Sequence, residues 1–166
     1  MLSIGIVWNT VYSYKDEIID DIKRKSNVID YFDIDLKEDY VSFVESLYIS
    51  ENMNKSKIDN KINHMIINPN TKISIIFFEF DDSVIEFHQN KQKNVYKNLE
   101  ELKKIIREKY KSYVENYTFD IVFHATDNLE ELKNCFGVLL SFMNNDLCEK
   151  NKYHKVLKLE KNSSNI

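Results

Sequence analysis

Short apolar runs of strand length recur along the chain and predict its β-strands. The run from Ser3 to Trp8 is rich in Ile and Val, which favours a buried strand. Lys72 to Phe80 is the most apolar run and indicates a central strand, with Val84 to His88 as its hairpin partner. Apolar and polar residues alternate in Val28 to Leu36, as on a half-exposed strand. A last strand is predicted over Thr118 to His124.

Apolar residues at helical spacing predict five helices between and after these strands. In the first helix, Ser13 and Asp16 have the spacing of a capping box, in which side chains satisfy free N–H groups of the first turn. Asp127 and Glu130 repeat this spacing at the start of the last helix. The helices are expected over Ser13 to Lys25, Glu38 to Ile49, Ile58 to Ile66, Asn98 to Glu115 and Asp127 to Met143.

This order of strands and helices predicts an α+β fold. The expected architecture is a ferredoxin-like sandwich, in which helices pack on one face of a mainly antiparallel sheet. No internal repeat and no domain boundary interrupt residues 1–145, so a single α+β domain is expected there. Residues 146–166 are mostly polar and are expected to form a C-terminal tail.

The composition supports a folded chain and excludes several classes of protein. The 166 residues are 43% hydrophobic and 30% charged, which suffices for a buried core. The net charge of −4 argues against a nucleic-acid partner, since no basic excess is available to neutralise phosphates. Two glycines are too few for the glycine-rich loops of P-loop or dinucleotide-binding enzymes. Two cysteines are too few for a disulfide scaffold or a structural zinc site.

Two further features of the sequence bear on location and on the choice of candidate residues. No apolar run approaches the ~18 residues that a membrane span needs, and the first residues lack a secretion signal, so a cytoplasmic protein without membrane association is expected. The chain contains 20 Ile, 19 Asn and 21 Lys against one Ala, two Arg and one Pro. This bias indicates an AT-rich genome, and an arginine retained against it, such as Arg107, is of more interest than a single lysine.

The end of the last predicted strand offers the strongest candidate for a chemical role. His124 stands there, directly before the sequence Ala125-Thr126-Asp127-Asn128 and a capped helix. The free N–H groups and the dipole of a helix N-terminus favour an anion at this edge. A histidine there would act as a nucleophile towards phosphorus or as a general acid–base, with Thr126 and Asp127 orienting it or contacting a ligand. In the alternative interpretation, Asp127 only caps the helix and His124 is a half-buried strand residue.

The helix before that strand carries candidate phosphate ligands. Lys103 and Arg107 are four residues apart and lie on one side of the helix, with Lys111 one turn further on. Cations at this spacing would straddle a phosphate, and the arginine offers a bidentate fork. The alternative is a solvated helix face on which Glu100 pairs with Lys103 or Lys104.

The segment from Phe119 to Glu131, with the sequence FDIVFHATDNLEE, resembles the signature of nucleoside diphosphate kinases. In that family a histidine that becomes phosphorylated ends a core strand, and a glycine, a hydroxyl residue, an aspartate and a helix containing a glutamate follow. His124 matches the histidine, Ala125 takes the place of the glycine, and Thr126 and Asp127 match the next two positions.

The resemblance implies a ferredoxin-like fold and a set of site residues. His124, Asp127 and Glu130 would be catalytic, although the supporting glutamate of the family lies nearer the position of Cys135. Lys103, Arg107 and Thr126 would bind the ligand or its phosphate. The first strand of the family ends in Lys-Pro-Asp-Gly, which touches the phosphates, whereas here the sequence is Trp8-Asn9-Thr10.

Two functions are therefore expected as alternatives. The first is an enzyme acting on a nucleotide or another phosphorylated small molecule. The second is a non-catalytic binding or assembly module, for example a homo-oligomer, that uses its ferredoxin-like sheet. The sequence contains no metal-ligand motif, since His64, His88 and His154 are far apart, and it identifies no cofactor. Mg²⁺ would suit a phosphorylated substrate, because few cationic residues flank the site.

Overall fold

The computed structural model describes residues 1–143, and this part of the chain contains six strands and five α-helices. Residues 146–166, expected to form a polar tail, lie outside the described residues, as do Cys148 and His154. Within residues 1–143, no helix has the length and apolar character needed to cross a membrane. The strands are β1 (Leu2–Val7), β2 (Asn27–Asp35), β3 (Lys72–Glu79), β4 (Ile85–His88), β5 (Lys93–Tyr96) and β6 (Phe123–Ala125). The helices are α1 (Lys15–Lys25), α2 (Tyr40–Ser50), α3 (Lys55–Met65), α4 (Lys97–Tyr110) and α5 (Leu129–Phe142).

Four of the strands form an antiparallel sheet in the order β2-β3-β1-β6. With α1 between β1 and β2, and α4 between β3 and β6, this is the ferredoxin-like arrangement, and the predicted fold class is confirmed. Two insertions extend it. Helices α2 and α3 lie between β2 and β3 in the chain, and a two-stranded ribbon of β4 and β5 precedes α4.

Helices cover both faces of this sheet. Alternate residues of β1 and β3 belong to two separate core clusters, because both strands are apolar on both sides. One cluster is completed by α2, α3 and α5, and we call that side the α5 face. The other is completed by α1 and α4, and we call it the α4 face. The expectation that helices pack on one face was therefore wrong, since a strand that is apolar on both sides must be covered on both.

A close contact fixes β6 against the middle of the sheet. A Cβ atom at Gly5 of β1 would lie 2.8 Å from Cε2 of Phe123 and 3.2 Å from Cε1 of Phe78. Only glycine leaves room for the Phe123 ring, which is fully buried on the α4 face. Pairing of β6 with β1 is restricted to Gly5–Val7, so β6 is shorter than the predicted strand Thr118 to His124.

The strand β4 pairs with β5 and not with the central strand as predicted. The ribbon runs antiparallel from the pair Ile85 and Tyr96 to the pair His88 and Lys93. Both edges of β3 are already occupied, by β1 on one side and by β2 on the other. No edge of β3 is therefore free for a hairpin partner, and β4 finds its partner in the segment that follows it.

The starts of α1 and α5 also differ from the predicted capping boxes. Ser13 lies inside a 3₁₀ segment, Asn9–Tyr14, and no side chain caps α1. At α5 the cap is Asn128, whose Oδ1 accepts the N–H of Glu131 at 2.9 Å. Oε2 of Glu131 in turn accepts the N–H of Asp127 at 2.8 Å. The capping box of α5 is thus one residue later than predicted, and the carboxylate of Asp127 is available for other contacts.

Candidate active site

His124 lies on the α5 face of the edge strand β6. Its neighbours in the strand, Phe123 and Ala125, join the core of the α4 face, so the alternation of the strand turns His124 to the opposite side. The residue is 8% exposed and contacts the C-terminal end of α2. The predicted strand ends at His124, whereas β6 extends one residue beyond it, and the nearest partners of His124 belong to the end of a helix distant in the chain.

The nearest partner of His124 is a glutamate that the sequence analysis did not select. Nε2 of His124 lies 2.8 Å from Oε1 of Glu51, the residue that follows α2, and both side chains are about nine-tenths buried. The contact is within ion-pair distance but is not aligned as a hydrogen bond, and neither atom has a hydrogen-bonding partner among residues 1–143. A carboxylate placed against Nε2 favours the proton on that nitrogen and leaves the lone pair on Nδ1.

Tyr48 and Lys61 complete the surroundings of this pair. The ring of Tyr48 stands edge-on to His124, with ring centroids 5.7 Å apart. Burial, with the nearby carboxylates of Asp120 and Glu51, holds the pKa of Tyr48 well above its usual value, so the phenol stays neutral. Nζ of Lys61 in α3 lies 4.7 Å from the Tyr48 ring centroid and 3.4 Å from its hydroxyl.

Arg107 reaches the open edge of β6 but its guanidinium is already engaged. Its Nε and Nη2 donate to the carbonyl oxygen of Phe123 at 3.1 and 3.0 Å. Nη2 also lies 2.6 Å from Oδ2 of Asp120. Arg107 therefore holds the residue directly before His124, and a phosphate could bind it only by competing with Asp120.

The cleft beside Arg107 is poorly suited to a phosphate. It has a volume of about 590 Å³ and lies against α4 and the β4–β5 ribbon. Five carboxylates line it, against three basic side chains, Lys104, Arg107 and the imidazole of His88. The carboxylates belong to Glu86, Glu100, Glu101, Glu108 and Asp120.

Lys103 and Asp127 form a buried ion pair. Lys103 is 3% exposed and its ammonium contacts Oδ1 of Asp127 and, at 3.2 Å, Oε1 of Glu100. Lys91 and Lys93 of the ribbon region lie 3.4 and 3.7 Å from the other oxygen of Asp127. Burial alone would raise the pKa of Asp127, but the lysines outweigh it and lower the pKa to about 2. This cluster ties the ribbon and α4 to the start of α5.

Thr126 and Glu130 form no hydrogen bond or ion pair with His124 among the described residues. Thr126 is fully buried, and its Oγ1 accepts the N–H of Ile4 at 3.0 Å, while Oγ of Ser3 donates to its carbonyl at 2.9 Å. These bonds fasten the chain after β6 to β1. Glu130 is exposed in the first turn of α5 and forms no ion pair or hydrogen bond within residues 1–143. The predicted site residues are thus divided among several places in the fold.

The two residues Asn9 and Thr10, shortly after β1, hold neighbouring segments of the chain by hydrogen bonds. Nδ2 of Asn9 donates to the carbonyl oxygens of Met65 and Asn70, at 3.0 and 2.9 Å, and its Oδ1 accepts the hydroxyl of Tyr40 at 2.6 Å. Asn9 is 2% exposed and ties the turn after α3 to β1. Thr10 donates to the carbonyl oxygen of Ile121 at 2.5 Å. Asn9 and Thr10 therefore have a structural role at the position where the Lys-Pro-Asp-Gly sequence of the nucleoside diphosphate kinases would place a lysine.

Two observations describe the metal-ligating and thiol side chains of residues 1–143. Within residues 1–143, no group of three or more His, Cys, Asp or Glu side chains could hold a metal ion. Cys135 of α5 is fully buried in the core of the α5 face, as its helical position indicates, and burial raises the pKa of its thiol.

Comparison with known proteins identifies the fold class. No protein-family model matches the sequence, and no curated protein matches it. The nucleoside diphosphate kinase of Aquifex aeolicus has a similar structure, with a TM-score of 0.52 and 11% identity over 83% of this chain and 93% of that one. The kinase of Borrelia burgdorferi, a transition-state mimic with vanadate and ADP, has a TM-score of 0.51 and 12% identity, covering 90% and 95%. The chain therefore has the fold of the nucleoside diphosphate kinases, at 11–12% sequence identity to these two structures.

Proposed function

We propose that the protein is a phosphoryl-transfer enzyme acting on nucleotides, in which His124 carries the phosphoryl group. The observation that carries this proposal is the contact of 2.8 Å between Nε2 of His124 and Oε1 of Glu51. It gives a histidine at a strand end a carboxylate partner on one nitrogen and leaves the other nitrogen free to react. The structural likeness to nucleoside diphosphate kinases supports nucleotides as the substrate class.

The reaction divides into two half-reactions. Nδ1 of neutral His124 attacks the γ-phosphorus of a nucleoside triphosphate, and the N–P bond forms as the bond to the β–γ bridging oxygen breaks. The nucleoside diphosphate leaves with that electron pair. A terminal oxygen of a second diphosphate then attacks the phosphorus, and the N–P electron pair returns to Nδ1. Throughout, Glu51 keeps the proton on Nε2 and stabilises the positive charge of the phosphorylated ring.

Labelling with ATP carrying ³²P in the γ position tests the proposal. Wild-type protein should acquire a label that is labile in acid and stable in alkali, as expected for phosphohistidine, and His124→Gln should acquire none. Glu51→Gln should be labelled about tenfold more slowly or worse, since it removes the negative charge beside Nε2 that stabilises the charged ring, and a tenfold change in rate corresponds to about 1.4 kcal/mol. His64→Gln is the matched control, because His64 in α3 bonds the carbonyl oxygen of Asn60, packs against the ring of Phe119 and forms no ion pair within residues 1–143.

The melting transition of each variant must be measured beside the label. Loss of label in His124→Gln with an unchanged transition supports the proposal. Label that persists in His124→Gln, or that disappears equally in His64→Gln, refutes the assignment of His124.

A second candidate function is self-assembly, and the β4–β5 ribbon is the observation that favours it. Val84, Ile85 and Phe87 are 46%, 59% and 53% exposed on one short segment of this ribbon. Apolar side chains grouped on an exposed strand are typical of a contact surface. Sedimentation of the wild type and of Ile85→Asn tests this function, with a dimer that the substitution dissociates as the expected result and a wild-type monomer as the contrary one.

A further inference from the structure

Lys61 differs from the other sheltered lysines of the described chain. Four lysines in residues 1–143 are not exposed, and Lys61 is the one without a carboxylate oxygen within 4.0 Å. Its Nζ donates instead to the carbonyl oxygen of Asp120, at 2.9 Å. The other three are paired: Lys15 with Asp33, Lys103 with Asp127, and Lys111 with Glu108.

This arrangement leaves a positive charge largely uncompensated. Burial disfavours the ammonium form and lowers the pKa of Lys61, and the more distant charges of Asp120 and Glu51 oppose this only in part. A lysine can usually avoid such a cost by extending its flexible stem into water. Lys61 is instead held by a carbonyl oxygen and by the face of Tyr48.

The ammonium of Lys61 is linked to the His124–Glu51 pair through Tyr48. Tyr48 is in contact with both, since its ring meets His124 edge-on and carries Nζ of Lys61 at 4.7 Å from its centroid. Glu51 is close enough to Lys61 for its charge to raise the pKa of the ammonium. The two other candidate cations, Lys103 and Arg107, are already paired with Asp127 and Asp120.

We propose that Lys61 binds the phosphoryl group that is transferred at His124, and that this group supplies the missing negative charge. The inference rests on the proposed function. A phosphoryl group on Nδ1 would bring about two negative charges into a site that already contains the carboxylate of Glu51 on the Nε2 side of the ring, so a cation is needed at this place. Lys61, in α3, is this cation. It acts on the phosphoryl oxygens and makes no covalent bond.

The test uses orthovanadate, which takes the place of a transferring phosphoryl group, and measures its effect on ADP binding by calorimetry. In the wild type, vanadate should tighten ADP binding, and Lys61→Gln should lose about tenfold or more of this gain while its affinity for ADP alone changes little. Lys61→Arg keeps the charge and should retain most of the gain. Lys57→Gln removes an exposed charge from the same helix and is the matched control, expected to behave as the wild type.

The outcomes separate this inference from the proposed function. If vanadate tightens ADP binding equally in Lys61→Gln and in the wild type, or does not tighten it in the wild type, the role of Lys61 is overturned whatever the labelling result. If the gain depends on Lys61 but no phosphohistidine forms, the oxyanion site stands and the proposed reaction fails. Melting transitions report on folding, and Lys61→Met, which keeps the apolar stem, replaces Lys61→Gln if the latter does not fold.

Discussion

Replacing Gly5 by alanine tests how tightly β6 is held against the sheet. The added Cβ would lie 2.8 and 2.9 Å from two atoms of the Phe123 ring and 3.2 Å from Cε1 of Phe78. Carbon atoms pack at about 3.5–4.0 Å, so the ring of Phe123 must move by roughly 0.6 Å or more. That ring is fully buried, and Arg107 holds its carbonyl oxygen, so the movement must be shared by β6 and α4.

The expected cost of Gly5→Ala follows from this overpacking. Inserting a methyl group into a well-packed core costs about 1–3 kcal/mol. For a chain of this size, this corresponds to a fall of roughly 2–12 °C in Tm. Gly137 provides the opposite case, because it lies on an exposed position of α5 and a Cβ there would meet nothing within 4 Å. Gly137→Ala should therefore stabilise the protein by about 0.5–1 kcal/mol through helix propensity.

Urea denaturation of a double-mutant cycle measures the contact itself. Phe123→Leu removes the ring atoms that the new Cβ would meet, so Gly5→Ala should cost less in the Phe123→Leu background than in the wild type. A coupling of about 1 kcal/mol or more is expected for groups in direct contact. An equal cost in both backgrounds, or a stable Gly5→Ala protein, would refute the reasoning that Phe123 sets the need for glycine.

Two further predictions concern buried polar groups. Asp127→Asn should lower the free energy of unfolding at pH 7 by about 3 kcal/mol, the lower end for a broken buried pair, because the buried Lys103 then keeps only the carboxylate of Glu100, at 3.2 Å. Folding lowers the pKa of Asp127 from 3.8 to about 2. The ion pair therefore stabilises the folded state fully above pH 3.8, and this stabilisation is lost as the pH falls through about 2. Urea denaturation at pH 7, 4 and 2 should show that the difference in the free energy of unfolding between wild type and variant becomes smaller as the pH falls. A difference that stays constant would contradict this role of the ion pair. Asn9→Ala should cost about 1–3 kcal/mol by urea denaturation, because it removes the side-chain partner of the Asn70 carbonyl oxygen and of the Tyr40 hydroxyl. A cost no larger than that of Asn60→Ala, at an exposed site, would contradict the stabilising role of Asn9.

The sequence predicted the elements whose signal is local. The strands β1 and β3 were found within one residue at either end, because their apolar character is continuous and strongly β-forming. The partner of β4 was missed, since pairing depends on which edges of β3 are already filled by strands distant in the chain. The cap of α5 shifted by one residue because Asp127, a good cap by residue type, is engaged by the buried Lys103. Tertiary contacts decide which strand β4 pairs with and which residue caps α5, and a local sequence pattern carries no information about such contacts.

The candidate site shows the same division between local and distant information. The position of His124 at a strand end followed from the alternation before it and the helix after it. Glu51 could not be found in this way, since it stands 73 residues earlier in a polar stretch without periodicity. The only signal in the sequence for Glu51 is its position directly after the apolar helix α2. This position points to the site once the end of α2 is known to lie against His124 of β6.

The distribution of charge narrows the places where a phosphate could bind to this fold. On the α4 face, the lysines around Asp127 and Glu100 are paired, so an anion would have to displace a carboxylate. At the open edge of β6, Arg107 already holds Asp120 and a backbone carbonyl oxygen. Only on the α5 face, among residues 1–143, does a sheltered cation, Lys61, lack a carboxylate within ion-pair distance. Because an anion arriving there would compensate a charge and break no ion pair, the proposed phosphorylated ligand would gain more free energy on this side of the sheet than on the other.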